Sequence, residues 1–117
     1  MKYMLLVYMK EDAMNSAERE QCYTDSTQLC HDLAATGQFV GASPLQPIAT
    51  AKSVRLREGK RLVTDGPFAE THEQLGGFFM IDAKSLDDAL AVAARIPAAR
   101  KGTIEVRPAI EIPGLPT

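Results

Sequence analysis

Much that would narrow the function of this chain is scarce or missing from its sequence. Its 117 residues hold two cysteines, Cys22 and Cys30. Eight residues apart on one helix, they would stand about 12 Å apart along its axis at 1.5 Å per residue. A disulfide cannot span that distance. Neither belongs to a CxxC or a metal-ligand spacing, so both are read as packing residues and no metal is expected. No apolar run nears the roughly 20 residues that cross a bilayer. The opening run, Tyr3 to Met9, is followed by acids and no small-residue cleavage site. That predicts a strand rather than a secretory leader, and with no other address a cytoplasmic protein without a membrane partner. Neither sign of charge is in excess: 13 Lys and Arg stand against 15 Asp and Glu, with net charge −2. That balance gives no electrostatic ground for nucleic-acid binding. GxGxxG, P-loop, GxSxG and zinc signatures are all missing, so no cofactor is expected.

What is present is an ordinary folded composition, 45% hydrophobic and 24% charged, enough for one core and one domain. Lys2 to Met9 reads as a strand that is apolar on both faces. Asn15 with Glu18 resembles a capping box, with Ser16 as a competing cap. The helix it opens runs to about Thr36, where Gly37 supplies the stop. Cys22, Ser26, Leu29, Cys30 and Leu33 share one stripe of that helix. Gln38 to Ala42 predicts a short edge strand. Ser53 to Arg57 and Arg61 to Thr64, around Glu58-Gly59-Lys60, predict a β-hairpin. Gly76 to Asp82 is a second strongly apolar strand. Ser85 with Asp88 caps a second helix, whose buried stripe is read as Leu86, Ala89, Leu90, Ala93 and Ile96. Thr103 to Arg107 is the last strand. The domain is therefore placed at residues 1–108, with residues 109–117 as an extended, proline-rich tail.

The order strand, helix, strand, hairpin, strand, helix, strand predicts an α+β fold of ferredoxin-like βαβ type, an antiparallel sheet with two helices on one face. One set of side chains from the two central strands would then face away from the helices. A monomer rarely leaves such an apolar patch open, so a homodimer through the sheet face is expected.

The segment from Val63 to Phe78 is the most unusual. It concentrates Asp65, Glu70, His72 and Glu73 among the backbone specialists Gly66, Pro67, Gly76 and Gly77. Glycine and proline can fix a loop so that a carboxylate is held beside a cleft, as acid–base chemistry requires. Asp65 is read either as such a group or as a turn residue bonding its own backbone. Glu70 is read as a ligand contact or as solvated surface. His72 lies in the same loop and His31 follows Cys30 on the first helix; either is read as a proton carrier or as a surface residue. Tyr8, Pro67 and Phe68 are read as pocket walls or as packing. Arg55, Arg57 and Arg61 on the hairpin serve an anionic ligand or keep an exposed strand soluble.

These residues resemble the YCII-related proteins, in the branch named for its Asp-Gly-Pro-Phe motif. The resemblance runs through Met1-Lys2-Tyr3-Met4-Leu5-Leu6-Val7-Tyr8, Thr64-Asp65-Gly66-Pro67-Phe68-Ala69-Glu70-Thr71, Glu73-Gln74-Leu75-Gly76-Gly77-Phe78 and Ile104-Glu105-Val106-Arg107-Pro108. It departs at His72, where lysine is expected. The resemblance implies a dimeric α/β barrel whose relatives act on small organic molecules in a cavity between sheet and helices. It also implies an acid–base pair of His and Asp, with Asp65 in the Asp position and His31 and His72 as candidates for the His. Two functions follow as expectations. One is a cofactor-free enzyme of isomerase, lyase or hydrolase type acting on a small organic ligand. The other is a non-catalytic binding module in a sigma-factor-linked context.

Overall fold

The computed structural model describes residues 1–116. Strand β1 spans Lys2–Met9 and helix α1 Ser16–Ala35, followed by strands β2, Phe39–Pro44, β3, Lys52–Arg57, β4, Lys60–Asp65, and β5, Gln74–Asp82. Helix α2, Leu86–Arg95, and strand β6, Thr103–Pro108, complete the chain, with 3-10 turns at Ile48–Thr50 and Pro97–Arg100. Four strands form one antiparallel sheet in the order β2-β5-β1-β6, and β3 and β4 form a separate hairpin. This is the α+β, ferredoxin-like arrangement that the element order predicts.

Local chemistry fixes the helix ends. The Asn15 side chain accepts from the Glu18 backbone N–H at 2.8 Å, and the Glu18 carboxylate accepts from the Asn15 N–H at 3.1 Å. Asn15, and not Ser16, is therefore the cap, and the box is reciprocal. At the other end Gln38 N–H returns to the Leu33 carbonyl at 2.8 Å, with Gly37 between them at φ 74°. Ser85 caps α2 by accepting from Asp88 N–H at 3.2 Å.

Alternation sorts the sheet faces. Tyr3, Leu5 and Val7 of β1 and Phe79 and Ile81 of β5 are buried against Leu29 and Leu33 of α1 and Ala89, Val92 and Ala93 of α2. Both helices therefore cover the same face. Met4, Leu6, Tyr8, Phe78 and Met80 lie half-buried on the other face, which no helix covers. There β6 adds Glu105 opposite Leu6 and Arg107 opposite Met4.

One expectation is corrected. Leu86 and Leu90 of α2 are 48% and 47% exposed, and Val92 takes their place in the core. The buried stripe is Ala89, Val92, Ala93 and Ile96, an i, i+3, i+4, i+7 set. Two alanines at its centre turn the small side of the helix to the sheet, and the leucines move to its flank.

The hairpin stands apart from this slab. Glu58 and Gly59 both have positive φ, 51° and 75°, the two-residue turn that matches strand twist. Beyond the pairing of β3 with β4, the hairpin shares only marginal contact with other strands and helices. The result is a plate of 47 × 43 × 20 Å with a radius of gyration of 16.0 Å, against about 13 Å for a compact chain of this length. After Pro108 the described part of the tail has no strand or helix, only a turn at residues 113–114. Thr117, the last residue of the predicted tail, lies outside the described residues.

Candidate functional site

A concavity of about 830 Å³ lies where the hairpin leaves the sheet. It is on the side away from the helices: Val7 and Met9 border the helix side, and Tyr8 between them lines the concavity. Leu75, the register partner of Tyr8, lines it too. Leu45, Pro47 and Ile48 form one wall, Lys52 and Ser53 at the foot of the hairpin a second, and Pro67, Phe68, Glu70 and Thr71 a third. Phe68 is 82% exposed at the lip, an aromatic ring left in water with nothing of its own chain to cover it.

The walls are tied by hydrogen bonds between distant segments. Leu45 N–H donates to the Gly76 carbonyl at 2.8 Å. Ile48 N–H donates to the Glu11 carboxylate at 2.8 Å. Gln74 joins two loops: its side-chain oxygen accepts from Glu11 N–H at 3.2 Å, and its amide group donates to the carbonyls of Thr71 at 2.8 Å and His72 at 3.4 Å. Glu73 accepts from the Thr103 hydroxyl at 2.8 Å, which fastens the same loop to β6. At the foot of the hairpin Gly66 N–H donates to the Ala51 carbonyl and the Ser53 hydroxyl to the Gly66 carbonyl, both at 2.8 Å.

Asp65 ends β4 opposite Lys52, and the Lys52 ammonium donates to its carboxylate. Asp65 is exposed and does not itself line the concavity; its partner Lys52 does. Of the residues singled out from sequence, Tyr8, Pro67, Phe68 and Glu70 come together around one space, and Asp65 adjoins it through Lys52. The histidines do not join them. His72 is exposed in the lip loop and His31 is exposed on α1, and neither lines the concavity. Among the described residues no three His, Cys, Asp or Glu side chains gather as a metal-ligand set, so Glu70, His72 and Glu73 do not form one. Lys52 and Gln74 escaped the sequence reading. Lys52 was within reach: counting back from the Glu58-Gly59 turn pairs Arg57 with Lys60 and hence Lys52 with Asp65.

A second cavity, about 220 Å³, lies between α1 and the sheet, walled by Val7, Cys22, Ser26, Cys30, Ala42 and Phe79, among others. The small side chains of α1 at positions 22, 26 and 30 leave it open. No carboxylate, imidazole or cation lines it, and burial pushes the Cys30 thiol up, which keeps that sulfur neutral and poorly nucleophilic. The resemblance points to a cavity on this side of the sheet, yet none of the seven site residues read from sequence reaches it.

Comparison with known proteins agrees with this architecture. Residues 1–113 match the YCII-related domain, and the chain belongs to that family. An uncharacterised protein of Rhizobium meliloti (strain 1021) is 38% identical over 113 residues, covering 92% of this chain and 91% of its own. Among solved structures, the 5-chloro-2-hydroxyhydroquinone dehydrochlorinase of Burkholderia phenoliruptrix AC1100, in complex with 2,5-dihydroxybenzoquinone, is similar with a TM-score of 0.57 and 12% identity, covering 94% of each chain. That likeness is one of fold. Among the described residues no helix is long and apolar enough to cross a membrane.

Proposed function

We propose that the open-face concavity binds a small organic molecule and that the Lys52–Asp65 pair at its edge serves proton-transfer chemistry on it, without a bound cofactor. The observation that carries this is the convergence of Tyr8, Pro67, Phe68, Glu70 and Lys52 on one space. Apolar walls with a few polar groups are what a small-ligand site requires. Phe68 and Leu75 offer apolar surface to a flat ring, and Lys52 and Tyr8, which line the same space, offer polar groups to an anionic or hydroxyl oxygen. Once a substrate oxyanion pairs with Lys52, Asp65 is released to accept a proton from the substrate. The dihydroxybenzoquinone in the fold neighbour makes hydroxylated rings the first class to try. The Asp65-Gly66-Pro67-Phe68 run supports a place, within the family, in the branch named for this motif.

One observation favours a second reading, binding without turnover in a regulatory setting: Asp65 is exposed and neither histidine lines the concavity. The half-buried apolar set Met4, Leu6, Tyr8, Phe78 and Met80 is, in either case, the proposed seat of a homodimer.

The test is amide-shift mapping of labelled protein titrated with 2,5-dihydroxybenzoquinone, simple phenols and small carboxylates. Shifts are expected at Tyr8, Lys52, Phe68 and Gln74, with at least tenfold weaker binding in Lys52→Met. Asp65→Asn should keep binding and lose conversion of any probe that turns over. Retained conversion in Asp65→Asn would favour another base, and probes that bind without ever converting would favour the second reading. Shifts confined to Cys30, Ser26 and Phe79 would move the site to the helix side and overturn the proposal.

A further inference from the structure

We propose that hairpin β3–β4 is an arm that seats its apolar face on a second copy of this chain, so that the concavity at its foot is completed only in the pair. This rests on the homodimer reading above and adds the element that makes the contact. Register puts Val54 opposite Val63 and Leu56 opposite Arg61. Val54, Leu56 and Val63 therefore share one face, and they are 62%, 69% and 53% exposed. Arg55, Arg57 and Lys60 share the other face with Leu62. Between Arg61 near the turn and the Lys52–Asp65 pair at the foot, the first face is thus an apolar patch, while the second is mostly charged or polar.

Among the described residues nothing covers that patch. The side-chain and loop hydrogen bonds about its foot, Lys52 to Asp65, Ser53 to Gly66 and Gly66 to Ala51, stay within residues 51–66. A lone two-stranded hairpin is at best marginally stable in water, so this one needs a surface to rest on. The occupant is a second copy for three reasons. First, the concavity that the foot of the arm borders lies on the open side of the sheet, so arm and open sheet face address the same side of the plate. Second, the molecule is a plate 47 × 43 Å across and 20 Å thick, broad enough for the roughly 800 Å² per partner that a stable interface uses. Third, the open face carries Glu105 and Arg107 on one strand, each beside an apolar residue of β1. A two-fold interface sets residue i against j and j against i, so such a pair of opposite charges is its own complement. With the second copy in place, the exposed lip at Phe68 and the foot of the arm gain a roof, and the site becomes enclosed.

Light scattering reports the copy number, and Leu56 replaced by photoreactive benzoylphenylalanine reports what the arm touches. The expected particle has twice the mass of 12.7 kDa, and irradiation links two chains with the attachment on the open-face strands or the lip of the other copy. Val54→Glu with Leu56→Glu should raise the dissociation concentration at least tenfold while the circular dichroism stays native. Amide exchange across β3 and β4 should be slow in the pair and fast in the glutamate variant. A dimer whose position 56 links only within its own chain, or onto the outer surface of α1 or α2, overturns the arm but leaves the sheet-face dimer standing. A monomer at every concentration overturns both.

Discussion

The slab and the arm both carry apolar side chains, more of them per strand in β1 and β5 than in β3 and β4, but treat them in opposite ways. In the slab, alternate residues of β1 and β5 vanish beneath two helices, and Leu5, Leu33 and Ile81 are fully enclosed. In the arm, Val54, Leu56, Leu62 and Val63 all remain in water. The difference shows that an apolar side chain on a strand is not by itself a buried one. Connectivity decides: β1 and β5 are followed by helices long enough to fold back over them, whereas β3 and β4 are joined by a two-residue turn that brings no covering layer.

Paired truncations sharpen that contrast most strongly. Leu5→Ala should lower unfolding stability by about 3 kcal/mol, as a fully enclosed leucine leaves a cavity. Leu56→Ala should change it by less than about 0.5 kcal/mol at concentrations where single chains dominate. Chemical denaturation across a dilution series measures both, and a comparable loss from Leu56→Ala in dilute protein would mean that the arm packs on its own chain. A smaller but still clear loss should come from Gly102→Ala. A Cβ there would stand 2.1 Å from the Tyr8 carbonyl oxygen, so β6 must shift away from β1, at about 1–3 kcal/mol by analogy with overpacked cores. The shift should also disturb Tyr8 amide and side-chain resonances beside the concavity, while the arm resonances stay put.

The smallest effect is electrostatic. The Asp82 carboxyl accepts from the N-terminal ammonium at 2.8 Å, and that bond and charge hold its pKa below the usual carboxylate range. A carboxyl depressed in the folded state stabilises above its unfolded pKa, and that contribution is lost as pH falls through the folded value. Wild type should therefore exceed Asp82→Asn in thermal midpoint at neutral pH, and the two should converge in acid. A gap that persists at acid pH would assign the effect to packing.

How far the sequence was legible follows the range of the interactions. The cap at Asn15, the stop at Gly37 and the hairpin turn are written within five residues of where they act, although Lys60, read from sequence as part of that turn, opens β4. The alternating core of β1 and β5 needs only a period of two. The phase of α2 was misread because its alanines blur the apolar stripe, and a ten-residue helix offers few turns to correct it. At the candidate site, the cluster of turn formers after Asp65 and the family motif drew attention to the loop that borders the concavity. The role of Gln74 stayed hidden because it joins a neighbour, Thr71, to a residue 63 positions away, Glu11. Nothing in a glutamine at the start of a strand announces that.

The same glutamine sets the character of the rim. Because one amide group holds the β1–α1 connection through Glu11 and the lip loop through Thr71 and His72, these walls lose their separate freedom when the chain folds, before any guest arrives. Less conformational entropy is then left to be surrendered on binding. Gln74→Ala should accordingly weaken affinity through a larger entropic penalty measured by calorimetry, with the enthalpy of the remaining contacts little changed.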